Sequence, residues 1–389
     1  MLAQRNGLTK ATVSAICDEL AELNLIGGAG QERSGLGRPG NLLELNAEGR
    51  GAVGFEISTN YVAALLTDFC GNALWRQTAA VALGAPQEAV LALAEALLTP
   101  AIEQAKQRGM PLLGIGVAAP GRVDSDRGVI LSAPTLGWKD VGLKARWESR
   151  FPPPVIMENK ARAAAMAEAF HGAARGVKDF VYVSIGTDIG STVDAAVVID
   201  GIPFRGAHGL GVDAGHMILE PHGELCTCGQ RGCWRAQADV GREVAMVEAL
   251  LARGESSVLR GRTAEHTLEH RAIHQAALEG DPLAREVFRR VVTLSHAAGI
   301  LNLISLFDPD LVLIGFANVG LPSEFQQRME SLESMVDVGI AEAVRKRMKE
   351  RGLTPPVIRR AACEPNTNML GAATLPVDAF LRTPPVAEV

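Results

Sequence analysis

The chain has 389 residues, room for two or three domains at roughly 150 residues each. Its 38 basic and 44 acidic side chains leave a formal charge of −6, which excludes a global pull onto a polyanion, so any nucleic-acid contact must come from a local patch. With 47% hydrophobic and 21% charged residues it has the composition of a globular protein; no uninterrupted apolar run approaches the roughly 18 residues of a bilayer span, the N-terminus carries no charged-then-apolar leader, and the expected compartment is the cytoplasm.

Leu2 to Asn6 forms a short helical piece broken by Gly7. Thr9 then stands as an N-cap, and Val13, Ile16, Cys17, Leu20 and Leu23 recur at helical spacing, with Lys10, Ser14 and Asp18 off the stripe. Leu25-Ile26-Gly27-Gly28 ends that helix, and a Gly- and Arg-containing segment from Gln31 to Gly40 leads into the alternating strand Leu43 to Asn46. Helix, turn, helix and hairpin is the order of a winged helix-turn-helix, expected over residues 1–50.

From Gly51 the pattern changes. Ala52–Ile57 and Tyr61–Thr67 read as an antiparallel pair turning at Phe69–Asn72 into a third strand, followed by a helix from Pro86 to Arg108 and the strand Gly114–Ala118. A second cycle starts at Val155–Met157 and runs through the helix Ala161–Phe170 to the strands Phe180–Ile185 and Asp194–Ile199. Leu311–Gly315 is a late strand after a helix ending at Asp308-Pro309. Strands alternating with helices define an α/β class. The repeated theme predicts two lobes flanking a cleft, over residues 51–155 and 156–375, with 376–389 as a tail whose end, Pro384 to Val389, is frayed.

Three of the six cysteines, Cys226, Cys228 and Cys233, crowd into eight positions, while Cys17, Cys70 and Cys363 are scattered. A disulfide scaffold spreads its cysteines through a short secreted chain; this clustering indicates metal ligation. With His216, separated from Cys226 by nine residues, the three thiolates make a closed tetrahedral set for structural zinc. Gly223, Gly229 and Gly232 supply the tight backbone, and His222 is a rival nitrogen ligand. With all four positions filled, no open position remains for hydrolytic chemistry.

Gly215-His216, nine residues, then Cys-x-Cys-Gly-x-x-Gly-Cys resembles the signature of the ROK family, which contains repressors and sugar kinases. Gly116 to Asp124, Leu136-Gly137-Trp138, Glu158-Asn159, Gly186 to Gly190 and Asp308-Pro309 match in the same order. The resemblance covers about residues 51–375. With the winged helix ahead of it, the chain is similar to ROK repressors of the kind that respond to xylose or N-acetylglucosamine. The resemblance implies an actin-like (ribonuclease H-like, hexokinase-like) two-lobed domain preceded by a partial winged helix-turn-helix. The family's DNA module has a full helix before the one ending at Asn6. Without it Val13, Ile16 and Leu20 would be partly uncovered, and the expected start of the protein lies upstream.

The same resemblance separates the possible functions. The family's kinases carry Asp-x-Gly-Gly-Thr after the first strand, where glycines let backbone amides reach ATP phosphates; here the stretch is Glu56-Ile57-Ser58-Thr59-Asn60. The second loop, Gly186-Thr187-Asp188-Ile189-Gly190, puts a carboxylate where phosphate would sit, and like charges repel. The kinase base is the Asp of Glu-Asn-Asp, and the matching residue is Lys160. Neither ATP binding nor enzyme activity is expected. The sugar positions implied by the family map onto Thr135, Asn159, Lys160, Asp213, His216 and Arg235. The two cations fit an acidic or phosphorylated sugar; alternatively Asp213 and Arg235 pair with each other and the pocket is vestigial. Residues 1–50 hold five cations against six acids, a weak phosphate footprint, but Lys10, Thr12 and Ser14 stand at the leading end of the recognition helix. Arg33 and Arg38 lie in the wing, where Arg38 on its Gly/Pro frame suits a narrow A·T minor groove. The expected function is a DNA-binding repressor of carbohydrate-metabolism genes. It would carry structural zinc, take a sugar or sugar-phosphate effector in the cleft, and act as a homodimer or higher homo-oligomer on a palindromic operator. The alternatives are a sugar kinase with an N-terminal extension and a non-catalytic protein-binding module.

Overall fold

The computed structural model describes residues 2–32, 40–186, 193–209, 211–260, 268–316 and 323–382. The chain divides into two compact units, residues 1–163 with 368–389, and residues 164–367.

Unit 1 opens with α1 (Leu2–Asn6) and α2 (Lys10–Glu22). Gly7 adopts φ +65° between them, and the Thr9 hydroxyl accepts from Thr12 N at 3.1 Å, so α2 begins with the cap read from sequence. The strands β1 (Ile26–Glu32) and β2 (Gly40–Leu45) form the antiparallel hairpin. No residue of α2 is buried, and Ile16 is 41% exposed.

The strands β3 (Gly51–Ile57), β4 (Tyr61–Asp68) and β5 (Ala73–Ala80) follow as an antiparallel meander. Helix α3 (Gln87–Gln107) returns the chain to β6 (Leu112–Ala119), parallel to β3. A three-stranded sheet of β7 (Arg122–Asp124), β8 (Val129–Ala133) and β9 (Trp138–Val141) and helix α4 (Leu143–Glu148) precede β10 (Val155–Asn159), parallel to β6. Helix α5 (Lys160–Phe170) crosses the unit boundary. The sheet order is β10-β6-β3-β4-β5. Every residue of β3 and β4 is buried, as expected for strands covered on both faces.

Unit 2 repeats this plan. Strands β11 (Phe180–Ile185), β12 (Val193–Ile199) and β13 (Ile202–Pro203) form the meander. After the cysteine loop come α6 (Trp234–Gln237), α7 (Val240–Ala252), α8 (His270–Glu279), α9 (Pro282–Phe288), a π-helical turn at Arg289–Thr293 and α10 (Leu294–Phe307). Strand β14 (Leu311–Phe316), helix α11 (Ser323–Glu350) and strand β15 (Val357–Arg360) complete it, with β14 and β15 in parallel. The order β13-β12-β11-β14-β15 matches that of unit 1 strand for strand. Each sheet has its own apolar core.

Helix α12 (Thr367–Arg382) belongs from Asn368 onward to unit 1. Any side chain at Gly54 would collide with the Met369 carbonyl, and one at Gly116 with that of Ala372; Ala118, Ala163 and Ala372 form a small core of their own. Small residues thus let the helix lie directly on the sheet. The observed division differs from the contiguous one expected, since the chain returns to its first unit, and residues 376–382 are helical where a tail was expected. Residues 383–389 lie outside the described residues.

Candidate metal centre and effector positions

The cysteine loop is built by local backbone geometry. A 3₁₀ turn at Ala214–His216 presents the imidazole, and His216 N donates to Asp213 O at 3.1 Å. A tight turn brings Cys226 N to Gln230 O at 2.7 Å and Gly229 N to Cys226 O at 2.9 Å, with Gly229 at φ +90°. Two isolated bridges, Ile218 with Cys233 and Leu225 with Arg231, close the loop. The result places one ligand atom each from His216, Cys226, Cys228 and Cys233 within 4.8 Å of one another. His216 Nδ1 lies 3.6 Å from Cys226 Sγ, and Cys228 Sγ lies 3.6 Å from Cys233 Sγ. A tetrahedral zinc with Zn–S of about 2.3 Å sets its ligand atoms about 3.6–3.8 Å apart, which these two separations match. This cluster can hold a metal ion. It includes His216 and leaves out His222, which is exposed.

Burial pushes the Cys233 thiol up to about 12, and hydrogen bonds with Cys228 and Cys226 add to this. At Cys226 burial also opposes ionisation, but the amide and thiol of Cys228 outweigh it and hold that thiol below its ordinary range. A divalent cation would let all three sulfurs ionise together.

Trp234, directly after Cys233, anchors the loop. It is fully buried, and its Nε1–H donates to His296 Nδ1 of α10 at 3.2 Å. Gly299 of α10 leaves the space that the indole fills. Burial pushes the His296 imidazole down to about 3. A neutral folded histidine contributes stability that is complete above its unfolded pKa of about 6.5 and is lost as pH falls toward 3. The expected loss by pH 5 is about 2 kcal/mol. Urea midpoints at pH 7 and pH 5 check this, since His296→Gln should flatten the slope by about one proton; an unchanged slope would contradict it.

Among the expected effector positions, Asn159 and Lys160 have internal partners. Asn159 caps α5: its Oδ1 accepts from Ala161 N at 2.8 Å and Arg162 N at 3.3 Å, and its Nδ2 donates to Gly121 O at 3.0 Å. Lys160 Nζ sits 2.7 Å from Glu56 Oε1, and 3.3 Å from Ser58 Oγ. The same Glu56 oxygen accepts from Tyr61 OH at 2.7 Å and Asn368 Nδ2 at 2.8 Å, and Glu56 is 0% exposed. Lys160 therefore neutralises a buried carboxylate. The β3–β4 connection beside this pair is a tight turn, with Ser58 N donating to Tyr61 O at 2.9 Å. Thr135 and Asp213 are exposed and Arg235 half-buried; among the described residues no ion pair joins Asp213 to Arg235. His216 turns its Nδ1 toward the cluster, 3.6 Å from Cys226 Sγ. Glu56, Tyr61 and Asn368 were not singled out as a network, because Asn368 stands 312 positions from Glu56 and no spacing rule links them.

Of the DNA-facing candidates, Lys10, Thr12 and Ser14 are exposed on α2, and the Thr12 hydroxyl lies 2.8 Å from that of Thr9 within the cap. Arg33, Arg38 and Asp188 lie outside the described residues.

The ROK family profile matches residues 52–378. A putative xylose repressor of Caldicellulosiruptor sp. (strain Rt8B.4) is 34% identical over 308 residues, covering 79% of this chain and 76% of that protein. The glucokinase of Streptomyces coelicolor is 31% identical over 268 residues, covering 68% and 80%. The crystal structure of a ROK family transcriptional regulator, a homologue of the E. coli MLC protein, superposes with a TM-score of 0.76 at 25% identity, covering 97% of this chain and 91% of that one. That last match is too long to leave out the N-terminal helices and hairpin. Two sheets of one topology, a His-Cys₃ cluster at the family's spacing and a profile match over most of the length agree: this chain belongs to the ROK family.

Proposed function

We propose that the protein is a DNA-binding transcriptional repressor of carbohydrate-metabolism genes, held together in part by structural zinc and responsive to a sugar or sugar phosphate. The observation that carries this reading is the α1–α2–β1–β2 module joined to a ROK domain. The similarity of a xylose repressor and of a ROK regulator over most of the chain supports it, and makes a pentose the first effector to try. On this reading the leading end of α2, with Lys10, Thr12 and Ser14, enters the major groove, and Arg38 of the wing takes the flanking minor groove. A homodimer reads a palindrome, and the effector shifts the population of DNA-competent dimers. Thr135, Asn159, Lys160, Asp213, His216 and Arg235 are the positions proposed to meet it. Zinc bound by His216, Cys226, Cys228 and Cys233 would supply a rigid loop and no reaction step. Arg38→Ala should weaken binding to an A·T-flanked operator by about 1–3 kcal/mol and reduce its salt dependence; fluorescence anisotropy across a salt series checks this, and an unchanged affinity would remove the wing from the account.

The second reading is a sugar kinase, favoured by the Streptomyces coelicolor glucokinase. Against it stands Lys160: a base must accept the hydroxyl proton, and an ammonium paired with Glu56 has no free lone pair. A coupled ADP-release assay with hexoses, pentoses and amino sugars should give no sugar-dependent turnover. Turnover abolished by Lys160→Ala would promote the kinase.

A further inference from the structure

Of the six cysteines, Cys228 alone is exposed. It stands in the turn at residues 227–231, every one of which is exposed, and a side chain added at Gly229 would meet nothing within 4 Å. The other two sulfurs of the cluster are screened, Cys226 being 4% exposed and Cys233 0%. Elsewhere Cys17, Cys70 and Cys363 are half-buried. Burial and the neighbouring Asp68 carboxylate push the Cys70 thiol up. Burial and Glu168 do the same at Cys363, whose Sγ also donates to Ala167 O at 3.6 Å. Oxidants react with thiolates that they can reach, and Cys70 and Cys363 are both covered and held as thiols.

Zinc, when bound, keeps Cys228 and Cys233 side by side as thiolates. Their Sγ atoms lie 3.6 Å apart, so closing to the about 2.05 Å of a disulfide takes about 1.5 Å of movement. Cys233 is the fixed member: its backbone is bridged to Ile218 and runs directly into the buried Trp234. Cys228 is the member that can move, next to Gly229 at φ +90° in an exposed turn. An accessible thiolate with a second thiolate held in reach is the arrangement of an oxidation site and its resolving partner.

We propose that Cys228 is an oxidation site for hydroperoxides, that Cys233 resolves it, and that the metal is lost in consequence. The Cys228 thiolate attacks one peroxide oxygen; the S–O bond forms, the O–O bond breaks and hydroxide leaves. The Cys233 thiolate then attacks the Cys228 sulfur; the S–S bond forms, the S–O bond breaks and a second hydroxide leaves. Each sulfur gives up one electron, and the two reduce the peroxide. His216 and Cys226 are then the only ligands left of four, too few for a closed zinc set. Residues 217–233 lose their fastening, and so does His216, one of the proposed effector positions. The proposal rests on the structural-zinc reading, and makes the same cluster the point at which peroxide reaches the repressor.

Hydrogen peroxide titrated into the full-length, zinc-loaded chain tests it, with zinc release read by a chromogenic chelator and the bond located by mass spectrometry of the unreduced tryptic digest. Cys226 and Cys228 share the tryptic peptide 206–231, whereas Cys233 falls in peptide 232–235. The expected result is about one zinc released per disulfide formed, the two peptides joined with the bond at Cys228, and reversal by dithiothreitol with added zinc. Cys228→His keeps a zinc ligand but offers the peroxide no sulfur, and should release zinc at least about tenfold more slowly; Cys70→Ser should release it like the wild type. If Cys228→His binds no zinc, the wild-type digest decides by itself. Zinc retained under peroxide, a bond confined to peptide 206–231, oxidation of Cys70 or Cys363 ahead of Cys228, or release from Cys228→His at the wild-type rate overturns the proposal. A chain that takes up no zinc before any peroxide is added fails the zinc reading itself, and this proposal with it.

Discussion

Cys228→Ser will lose the bound metal and destabilise unit 2 by about 3–5 kcal/mol, a fraction of the about 10–16 kcal/mol with which structural zinc binds zinc-finger peptides. Cys228 is the exposed member of the cluster, whereas Cys226 and Cys233 are buried. Replacing an exposed sulfur by an oxygen removes almost no packing, so a large effect can only come from the ion. Apart from the ion, residues 217–233 are held mainly by local backbone hydrogen bonds and by the anchor at Trp234, with little apolar burial in a loop where many residues are exposed. Elemental analysis should find about one zinc per wild-type chain and none in the variant, while Cys70→Ser keeps its zinc. A wild-type protein that is metal-free, and equally stable with and without chelator, would contradict the assignment.

The second large effect concerns Lys160. Glu56 is fully buried, its Oε1 is shared by Lys160, Tyr61 and Asn368, and its Oε2 has no hydrogen-bond partner. Lys160→Ala would leave that charge buried with neutral donors only, and breaking such a pair costs about 3–5 kcal/mol. The double variant Glu56→Gln/Lys160→Met should recover most of the loss, because a neutral pair needs no compensation. Urea unfolding of the wild type, Glu56→Gln, Lys160→Met and the double variant gives the coupling; additive effects would show that the ion pair has no such weight. Lys160→Asp, the change that restores the kinase residue, should be the most destabilising, with two carboxylates facing each other.

The local elements were legible wherever the pattern was local. Thr9 and the stripe behind it defined α2, the strand read at Phe180–Ile185 matches β11 to the residue, and the spacing from His216 to Cys233 pointed to the metal cluster. The elements that escaped notice depend on distant partners. Pro376 and the prolines beyond it read as the start of a tail, yet α12 continues to Arg382 because Gly114 and Gly116 leave room for the Pro376 ring against β6. Lys160 read as a loose cation because its partner stands more than a hundred positions earlier in the chain. Asn159 read as a sugar ligand, although an Asn ahead of a helix is equally an N-cap. In each case the residue type was noticed and its role was decided by a neighbour supplied by the fold.

The most direct measurement for the central claim is selection of genomic DNA fragments by the full-length, metal-loaded protein, with and without a panel of pentoses, hexoses and their phosphates. The account predicts enrichment of a palindromic sequence with half-sites about one helical turn apart and A·T-rich flanks, released by one sugar or sugar phosphate. Recovery of no sequence above background, at low salt and without effector, would contradict it.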